Sequence, residues 1–134
     1  MAEHSDKPRA PVHDKQGLSR LISATGYSLA GLRAAWASEE AFRLEMLASL
    51  FMVPAALWLG PTMVQRALLV GSILLVLIVE LLNTAVEYTL DRISTEQHSL
   101  SGRAKDMGSA AVMLSLLLCA LTWGGVAWDR FSGG

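Results

Sequence analysis

The chain has 134 residues, of which 52 % are apolar and only 17 % are charged. That charged fraction is below the roughly 25 % typical of soluble domains, and the length allows a single domain. The formal net charge of −1 gives no indication of nucleic-acid binding. The single cysteine, Cys119, excludes an internal disulfide, and no metal-binding pattern surrounds it.

The N-terminal part of the chain divides into a polar tail and a first helix. Residues 1–15 combine prolines and charged side chains without any period of apolar residues, which predicts a disordered tail. Apolar side chains then recur at mostly helical spacing, with arginines among them, which predicts an amphipathic surface helix over residues 17–37. Gly26 and Gly31 should weaken or break that helix. The alternative is a soluble helix that packs on a partner.

Three long stretches with few or no charges follow. Residues 46–65 and 107–128 contain no charged side chain, and residues 67–86 contain only Glu80. A bilayer core of roughly 30 Å needs about 20 helical residues, and a backbone in lipid must satisfy its own hydrogen bonds. We therefore predict an all-α membrane protein whose tight turn at Gly60-Pro61-Thr62 makes the first two spans an antiparallel hairpin. The predicted spans are residues 43–60, 62–91 and 105–129 of a membrane domain that covers residues 16–134.

Lysine and arginine are distributed unevenly about these spans. Six of them lie in the N-terminal segment up to Arg43, where the first span begins, and three (Arg92, Arg103 and Lys105) lie where the second span ends and the third begins. Only Arg66 and Arg130 lie on the opposite side. Because cytoplasmic segments carry the excess of basic residues, the N-terminus is expected in the cytoplasm and the C-terminus outside.

Glu80 interrupts the most apolar part of the second predicted span. A carboxylate in hydrocarbon costs several kcal/mol unless it is paired, wetted or protonated, so such a residue is functional by default. Asn83, Glu87 and Asp91 follow at spacings that place them on the same helical face as Glu80. Glu80 and Glu87 are then roughly 10 Å apart along the helix axis, too far to share one proton. The alternatives are a neutral Glu80 that bonds a neighbouring helix, and a solvated face for Glu87 and Asp91.

The segment from Asp91 to Ser109 is dense in hydrogen-bonding side chains and is predicted to be a cytoplasmic loop that leads into the third span. Arg103 and Lys105 are suited to bind phosphate oxygens. The alternative is that they are basic here only because cytoplasmic loops carry an excess of lysine and arginine. The hard oxygen ligands suited to magnesium are the carboxylates of Glu39, Glu87 and Asp106. Since neither GxxxxGK[ST] nor GxGxxG occurs, any nucleotide site must be built differently.

The chain contains a set of short motifs that is specific when taken together. The longest is the unbroken run LSGRAKDMGSAAV, which begins at Leu100. The others are ATGYS from Ala24, GLRAAW from Gly31, EEAFRLE from Glu39, VELLNTAVE from Val79 and DRI from Asp91. With these motifs the chain closely resembles the bacterial membrane diacylglycerol kinase family over about residues 17–130.

The resemblance implies a homotrimer of three-span subunits in the bacterial inner membrane, each with an N-terminal surface helix. It implies magnesium-assisted transfer of the ATP γ-phosphate to the free hydroxyl of diacylglycerol, which yields phosphatidic acid. By the family pattern Glu80 is the base that faces the lipid hydroxyl, and Glu39 and Glu87 hold the divalent metal. Asn83 lies between the two carboxylates of its helix and is expected to orient either one.

The resemblance also implies contact residues for both substrates. The positions that match nucleotide contacts are Arg20, Tyr27, Glu39, Glu87, Glu96, Gln97, His98, Lys105 and Asp106. The positions that match lipid contacts are Arg20, Ser28, Arg33, Trp36, Arg43, Glu45, Glu80, Ser109 and Trp123. A related branch phosphorylates undecaprenol, so undecaprenol kinase is the alternative within the family.

Two non-enzymatic functions remain as further alternatives. A proton- or ion-conducting membrane subunit would also explain Glu80 midway along a helix. A structural or regulatory adaptor would use Glu80 only to bond neighbouring helices. The polar segment 96–106 disfavours both, because neither function needs it.

Overall fold

The computed structural model describes residues 16–93 and 98–133 of the chain. The helices within these ranges are α1 (Leu18–Ser38), α2 (Glu40–Leu59), α3 (Met63–Ile93) and α4 (Ser99–Phe131). The last three have 20, 31 and 33 residues and are long and apolar enough to cross a membrane. The predictions of an all-α chain and of three membrane spans are therefore confirmed. The tail that was predicted to be disordered, residues 1–15, lies outside the described residues.

α1 is one continuous helix that begins directly after Gly17. The φ angle of Gly17 is +63°, in the left-handed region that glycine adopts without strain. Neither Gly26 nor Gly31 breaks the helix, since one interior glycine weakens a helix by only about 1 kcal/mol relative to alanine.

The chain divides into two compact units at Ala34. The first unit contains α1 up to that residue, and most of its described side chains are exposed. The second unit, residues 35–134, contains the last turn of α1 together with α2, α3 and α4. We call this second unit the bundle.

α2 and α3 form an antiparallel hairpin around the predicted turn. α2 ends at Leu59, and the N–H of Gly60 still donates to the carbonyl of Ala56 at 3.0 Å. Arg66 Nε donates to the Gly60 carbonyl at 2.8 Å, which closes the turn. Position 60 has no room for a side chain, because a Cβ there would lie 2.9 Å from the backbone nitrogen of Arg66. α2 also runs unbroken through Pro54, which interrupts its apolar stretch.

α3 is the central helix of the bundle, because it packs against both α2 and α4, whereas α2 and α4 contact each other only weakly. Its buried side chains recur at three- and four-residue steps along one face. They are Leu69, Ser72, Ile73, Val76, Glu80 and Thr84. Near the hairpin turn, Leu69 packs with Ala56, Leu59 and Val126 in the apolar core. Many other large apolar side chains are exposed, as helices that face lipid tails require.

α4 begins at Ser99, six residues before the predicted start of the third span at residue 105, so residues 99–104 are helical where a loop was predicted. His98 caps this helix, since its Nδ1 accepts a hydrogen bond from the backbone N–H of Leu100 at 3.1 Å. The polar residues from 99 to 109 are therefore the first three turns of a 33-residue helix. Serine and glycine here favour a loop locally, but packing of α4 along α3 outweighs that weak preference.

Candidate active site

Glu80 lies on the inner face of α3 and is only 7 % exposed. It shares that face with Val76 and Thr84, so it is directed into the bundle and away from the outward apolar surface. The carboxylates of Glu39 and Glu87 both act on it electrostatically. These negative groups, which we call the carboxylate cluster (Glu39, Glu80 and Glu87), gather toward the end of the bundle where α2 begins. Like charges gathered in this way call for a cation or a proton to neutralise them.

Glu39 is the single residue between α1 and α2. Its extended backbone, with φ −110° and ψ 110°, turns the chain from one helix into the next. We call residues 36–43, which connect the two helices, the elbow. Arg43 stabilises the elbow, because its Nη1 donates to the carbonyls of Trp36 and Ala37 at 3.0 and 3.1 Å. A cation at the last carbonyls of a helix also complements the helix dipole. Arg43 therefore positions Glu39, and its contact with lipid stays a prediction.

Tyr88 connects the elbow to α3 through its hydroxyl group. Its hydroxyl donates to Glu39 Oε1 at 2.8 Å and lies 2.6 Å from Ser38 Oγ. Ser38 Oγ also donates to Glu39 Oε1 at 3.3 Å. Neither Tyr88 nor Ser38 was predicted as a site residue from the sequence. Tyr88 follows Glu80 and Thr84 at four-residue steps on α3, and this spacing is the signal that could have indicated it.

Asn83 lies in the contact between α3 and α4, directly against Gly108. A Cβ at position 108 would overlap the Oδ1 atom of Asn83. The Nδ2 group of Asn83 donates to Glu87 Oε1 at 3.4 Å. Its Oδ1 atom is buried and has no hydrogen-bond partner in the described parts of the chain. Because an unpartnered buried acceptor costs about 1–3 kcal/mol, Asn83 is a candidate for function and not simply a packing residue.

Replacing Gly108 by alanine is expected to displace the Asn83 amide, since the added Cβ would take the space of Oδ1. We expect turnover to fall as far as in Asn83→Ala, and thermal unfolding to show a stability loss of about 1–3 kcal/mol from overpacking. The double variant Gly108→Ala/Asn83→Ala should be no less active than Asn83→Ala alone, because alanine at position 83 removes the overlap. Additive losses of turnover in the double variant would contradict this coupling.

Lys105 projects from the second turn of α4 toward α3. Its Nζ donates to Asp91 Oδ1 at 2.9 Å, and the two side chains are 45 % and 65 % exposed. Glu87 acts on the same ammonium electrostatically, so Lys105 lies beside the carboxylate cluster. An ion pair this exposed is screened by water and contributes little to stability. The ammonium can therefore exchange Asp91 for another anion at little cost.

An apolar groove of about 370 Å³ opens between α2, α3 and α4. Aliphatic and sulfur-containing side chains such as Met52, Val76 and Leu116 line it. Two polar atoms of its lining residues, Glu45 Oε2 and Trp123 Nε1, are buried without a hydrogen-bond partner within residues 16–93 and 98–133. Glu45, which lines the groove, also interacts electrostatically with Glu80 of the carboxylate cluster. A ligand with a long apolar part and a few polar groups suits such a groove.

The remaining predicted contact residues are distributed over the chain. Those on α1 within the first unit are Arg20, Tyr27, Ser28 and Arg33, of which Ser28 donates its hydroxyl to the Ala24 carbonyl at 3.0 Å. Those in the bundle with exposed side chains are Trp36, Asp106 and Ser109. His98 uses its Nδ1 to cap α4, and Glu96 and Gln97 lie outside the described residues. The substrate contacts of all these residues stay predictions.

Comparison with known proteins identifies the family. Residues 26–127 match the profile of the prokaryotic diacylglycerol kinase family. Diacylglycerol kinase of Escherichia coli strain K12 is 51 % identical over 120 residues, which are 90 % of this chain and 98 % of that relative. The diacylglycerol kinase of Haemophilus influenzae is 48 % identical over 115 residues, 86 % of this chain and 98 % of the relative. That of Pseudomonas aeruginosa is 48 % identical over 114 residues, 85 % of this chain and 93 % of the relative. The chain therefore belongs to the prokaryotic diacylglycerol kinase family.

Proposed function

We propose that this diacylglycerol kinase transfers the γ-phosphoryl group of ATP directly to the free hydroxyl of diacylglycerol at the cytoplasmic face of the bacterial inner membrane. The observation that carries the proposal is the buried carboxyl group of Glu80 on the inner face of α3, on which the carboxylates of Glu39 and Glu87 act electrostatically. Phosphoryl transfer needs positioning and charge neutralisation more than covalent chemistry. The carboxylate cluster and the neighbouring Lys105 offer groups for both tasks.

Glu39 and Glu87 fit a magnesium ion that arrives with its nucleotide. Within residues 16–93 and 98–133, no group of three or more His, Cys, Asp or Glu side chains converges into a closed metal site. Magnesium is usually bound by one or two carboxylates together with water and substrate phosphates. The protein is therefore expected to supply about two carboxylate ligands. The ion would neutralise charge on the phosphate oxygens. We assign its protein ligands to Glu39 and Glu87.

Glu80 is assigned the role of general base. Its carboxylate accepts the proton of the lipid hydroxyl as that oxygen bonds to phosphorus and the bond from phosphorus to the leaving ADP oxygen breaks. Asn83 holds Glu87 through the 3.4 Å hydrogen bond. Lys105 moves from Asp91 to the phosphate oxygens, where its charge offsets the charge of the transferred group. The proposal thus gives each of these side chains one task in a single transfer step.

The apolar groove supplies a place for the lipid. An acyl chain suits the apolar lining, and the unpartnered atoms Glu45 Oε2 and Trp123 Nε1 suit the polar glycerol and ester groups. Because Glu45 interacts with Glu80, a hydroxyl held near Glu45 is also near the proposed base. This arrangement supports the predicted lipid contacts of Glu45 and Trp123. It also explains why the base lies below the membrane surface while ATP stays in water.

The charge distribution supports the proposed orientation, and the exposed apolar surface supports the proposed assembly state. Arg92, Arg103 and Lys105 lie at the end of the bundle that carries the site, which favours the cytoplasmic side for that end. Exposed apolar side chains cover much of α2 and α4, and a homotrimer, as the resemblance implies, would cover part of this surface. α1 takes the role of the surface helix in this proposal.

The decisive experiment is a radiolabelled-ATP assay on the detergent-purified protein with diacylglycerol and undecaprenol offered side by side. We expect labelled phosphatidic acid, strict dependence on added diacylglycerol, and loss of product when EDTA removes magnesium. Labelled undecaprenyl phosphate as the main product would replace the proposed acceptor. ATP consumption without any lipid product, or no consumption at all, would favour the ion-conducting or adaptor alternatives.

A further inference from the structure

The hydroxyl group of Tyr88 has no role in the phosphoryl transfer proposed above, yet it contacts a proposed metal ligand. It is the donor in a 2.8 Å hydrogen bond to Glu39 Oε1 and lies 2.6 Å from Ser38 Oγ. An ionised carboxylate can only accept hydrogen bonds, so both hydroxyl groups serve Glu39 as donors, either directly or through each other. The bond joins α3 to the elbow across 49 positions of the sequence. It therefore depends on the tertiary structure and not on local helix geometry.

Glu39 has little else to hold its side chain. It stands in the N-cap position of α2, but its side chain makes no capping hydrogen bond to that helix. Glutamate has several rotatable bonds, and ordering such a side chain costs up to about 1.5–2 kcal/mol. A ligand that needs this carboxylate in one place binds more tightly when the protein has already ordered it. The Tyr88 and Ser38 hydroxyls are groups that order it.

We propose that Tyr88 is a positioning residue for the Glu39 carboxylate and thereby raises the affinity of the site for a divalent cation. The inference rests on the proposed metal-binding role of Glu39. Tyr88 engages Oε1 and leaves the second oxygen of the carboxylate for the cation. Hydrogen-bond partners of metal ligands typically contribute about 10- to 100-fold in metal affinity or activity. The tyrosine ring is 51 % exposed, so we expect an effect at the lower end of that range.

The variant Tyr88→Phe tests the proposal, because it removes only the hydroxyl group. The full-length protein in detergent is titrated with a non-hydrolysable ATP analogue, once as its Mn²⁺ complex and once without metal. We expect the dissociation constant of the Mn²⁺ complex to rise about tenfold, whereas that of the metal-free analogue stays unchanged. In turnover assays, the apparent KM for Mg²⁺ should rise by a similar factor, with kcat at saturating Mg²⁺ close to wild type.

Two controls separate this inference from the function on which it rests. Thr89→Val removes the neighbouring hydroxyl, which donates within its own helix to the Ala85 carbonyl at 2.8 Å, and should change neither constant. Glu39→Gln should weaken the Mn²⁺ complex more than Tyr88→Phe does. If Glu39→Gln leaves the affinity intact, the proposed metal role and this inference both fail.

A structural role for Tyr88 gives a different result. Tyr88→Phe would then lower the Tm of the protein without changing the affinity for the Mn²⁺ complex. If Glu39→Gln weakens that complex and Tyr88→Phe does not, the inference about Tyr88 is overturned while the proposed function stands. An equal loss of affinity for the analogue with and without metal would also overturn it, because the effect would then concern nucleotide binding in general.

Discussion

Glu80→Gln is expected to lower kcat by about 100- to 10,000-fold, the range that general acid–base groups contribute. Glutamine has nearly the same shape as glutamate, but its amide cannot accept the proton of the lipid hydroxyl. Turnover is measured at saturating diacylglycerol and Mg²⁺-ATP, with circular dichroism and gel filtration to verify fold and assembly. The affinity for ATP should stay close to wild type, because Glu80 is assigned to the acceptor and not to the nucleotide.

The Tm of Glu80→Gln gives an independent test of the role of Glu80. A buried carboxylate beside Glu39 and Glu87 is unfavourable for folding, so the neutral amide should leave Tm unchanged or raise it. If Glu80 merely bonded a neighbouring helix, Tm would fall and the rate would follow the loss of folded protein. The matched control is Glu40→Gln, which makes the same chemical change at an exposed position in the first turn of α2. A near-normal rate in Glu80→Gln would exclude Glu80 as the base.

Lys105→Met is expected to lower kcat/KM for ATP by about 100- to 1,000-fold, the typical effect of removing one group that stabilises charge in the transition state. Methionine keeps much of the aliphatic length of lysine but has no charge to set against the phosphate oxygens. Steady-state kinetics with varied ATP, together with direct titration of a non-hydrolysable analogue, would measure the effect on transfer and on binding.

The comparison variant for Lys105 is Asp91→Asn, which releases the ammonium from its salt bridge. The pair is exposed, with side-chain exposures of 45 % and 65 %, and water screens such pairs so that they contribute little to stability. We therefore expect kcat/KM to change by less than about fivefold in Asp91→Asn. If Lys105→Met retains a near-normal rate, Lys105 does not take part in phosphoryl transfer and contributes only to the orientation of the protein in the membrane. A loss in Asp91→Asn as large as that in Lys105→Met would instead make the salt bridge itself essential.

The amino-acid sequence is sufficient to predict the membrane class, the three spans and the position of Glu80 within an apolar stretch. An apolar run of about 20 residues is stable in lipid as a helix, because an isolated segment must satisfy its backbone hydrogen bonds internally. The helical stripe from Glu80 to Asp91 is likewise local, since 3.6 residues per turn set it without reference to other helices. The motifs around Glu80 and Lys105 indicated the family, which the comparisons confirmed.

The start of α4 is the boundary that the sequence predicted wrongly, because local preference and packing disagree there. The helix predicted over residues 17–37 and the span predicted over residues 43–60 are continuous in α1 and α2, which run through Gly31 and Pro54. Residues 99–104 were predicted to belong to the loop before the third span, yet they are helical because α4 packs along α3 and His98 caps its first turn. In each case one residue has a small intrinsic effect, and contacts made by the whole helix outweigh it.

The assembly of the site depends on how the helices pack against one another. This packing placed Glu80 on the inner face of α3, brought Glu39 to that helix through Tyr88, and put Gly108 against Asn83. The groove with the unpartnered atoms of Glu45 and Trp123 arises in the same way. These contacts join residues that lie 25 or more positions apart. Helical periodicity shows which side chains share a face, but only the packing of helices against one another determines what that face meets.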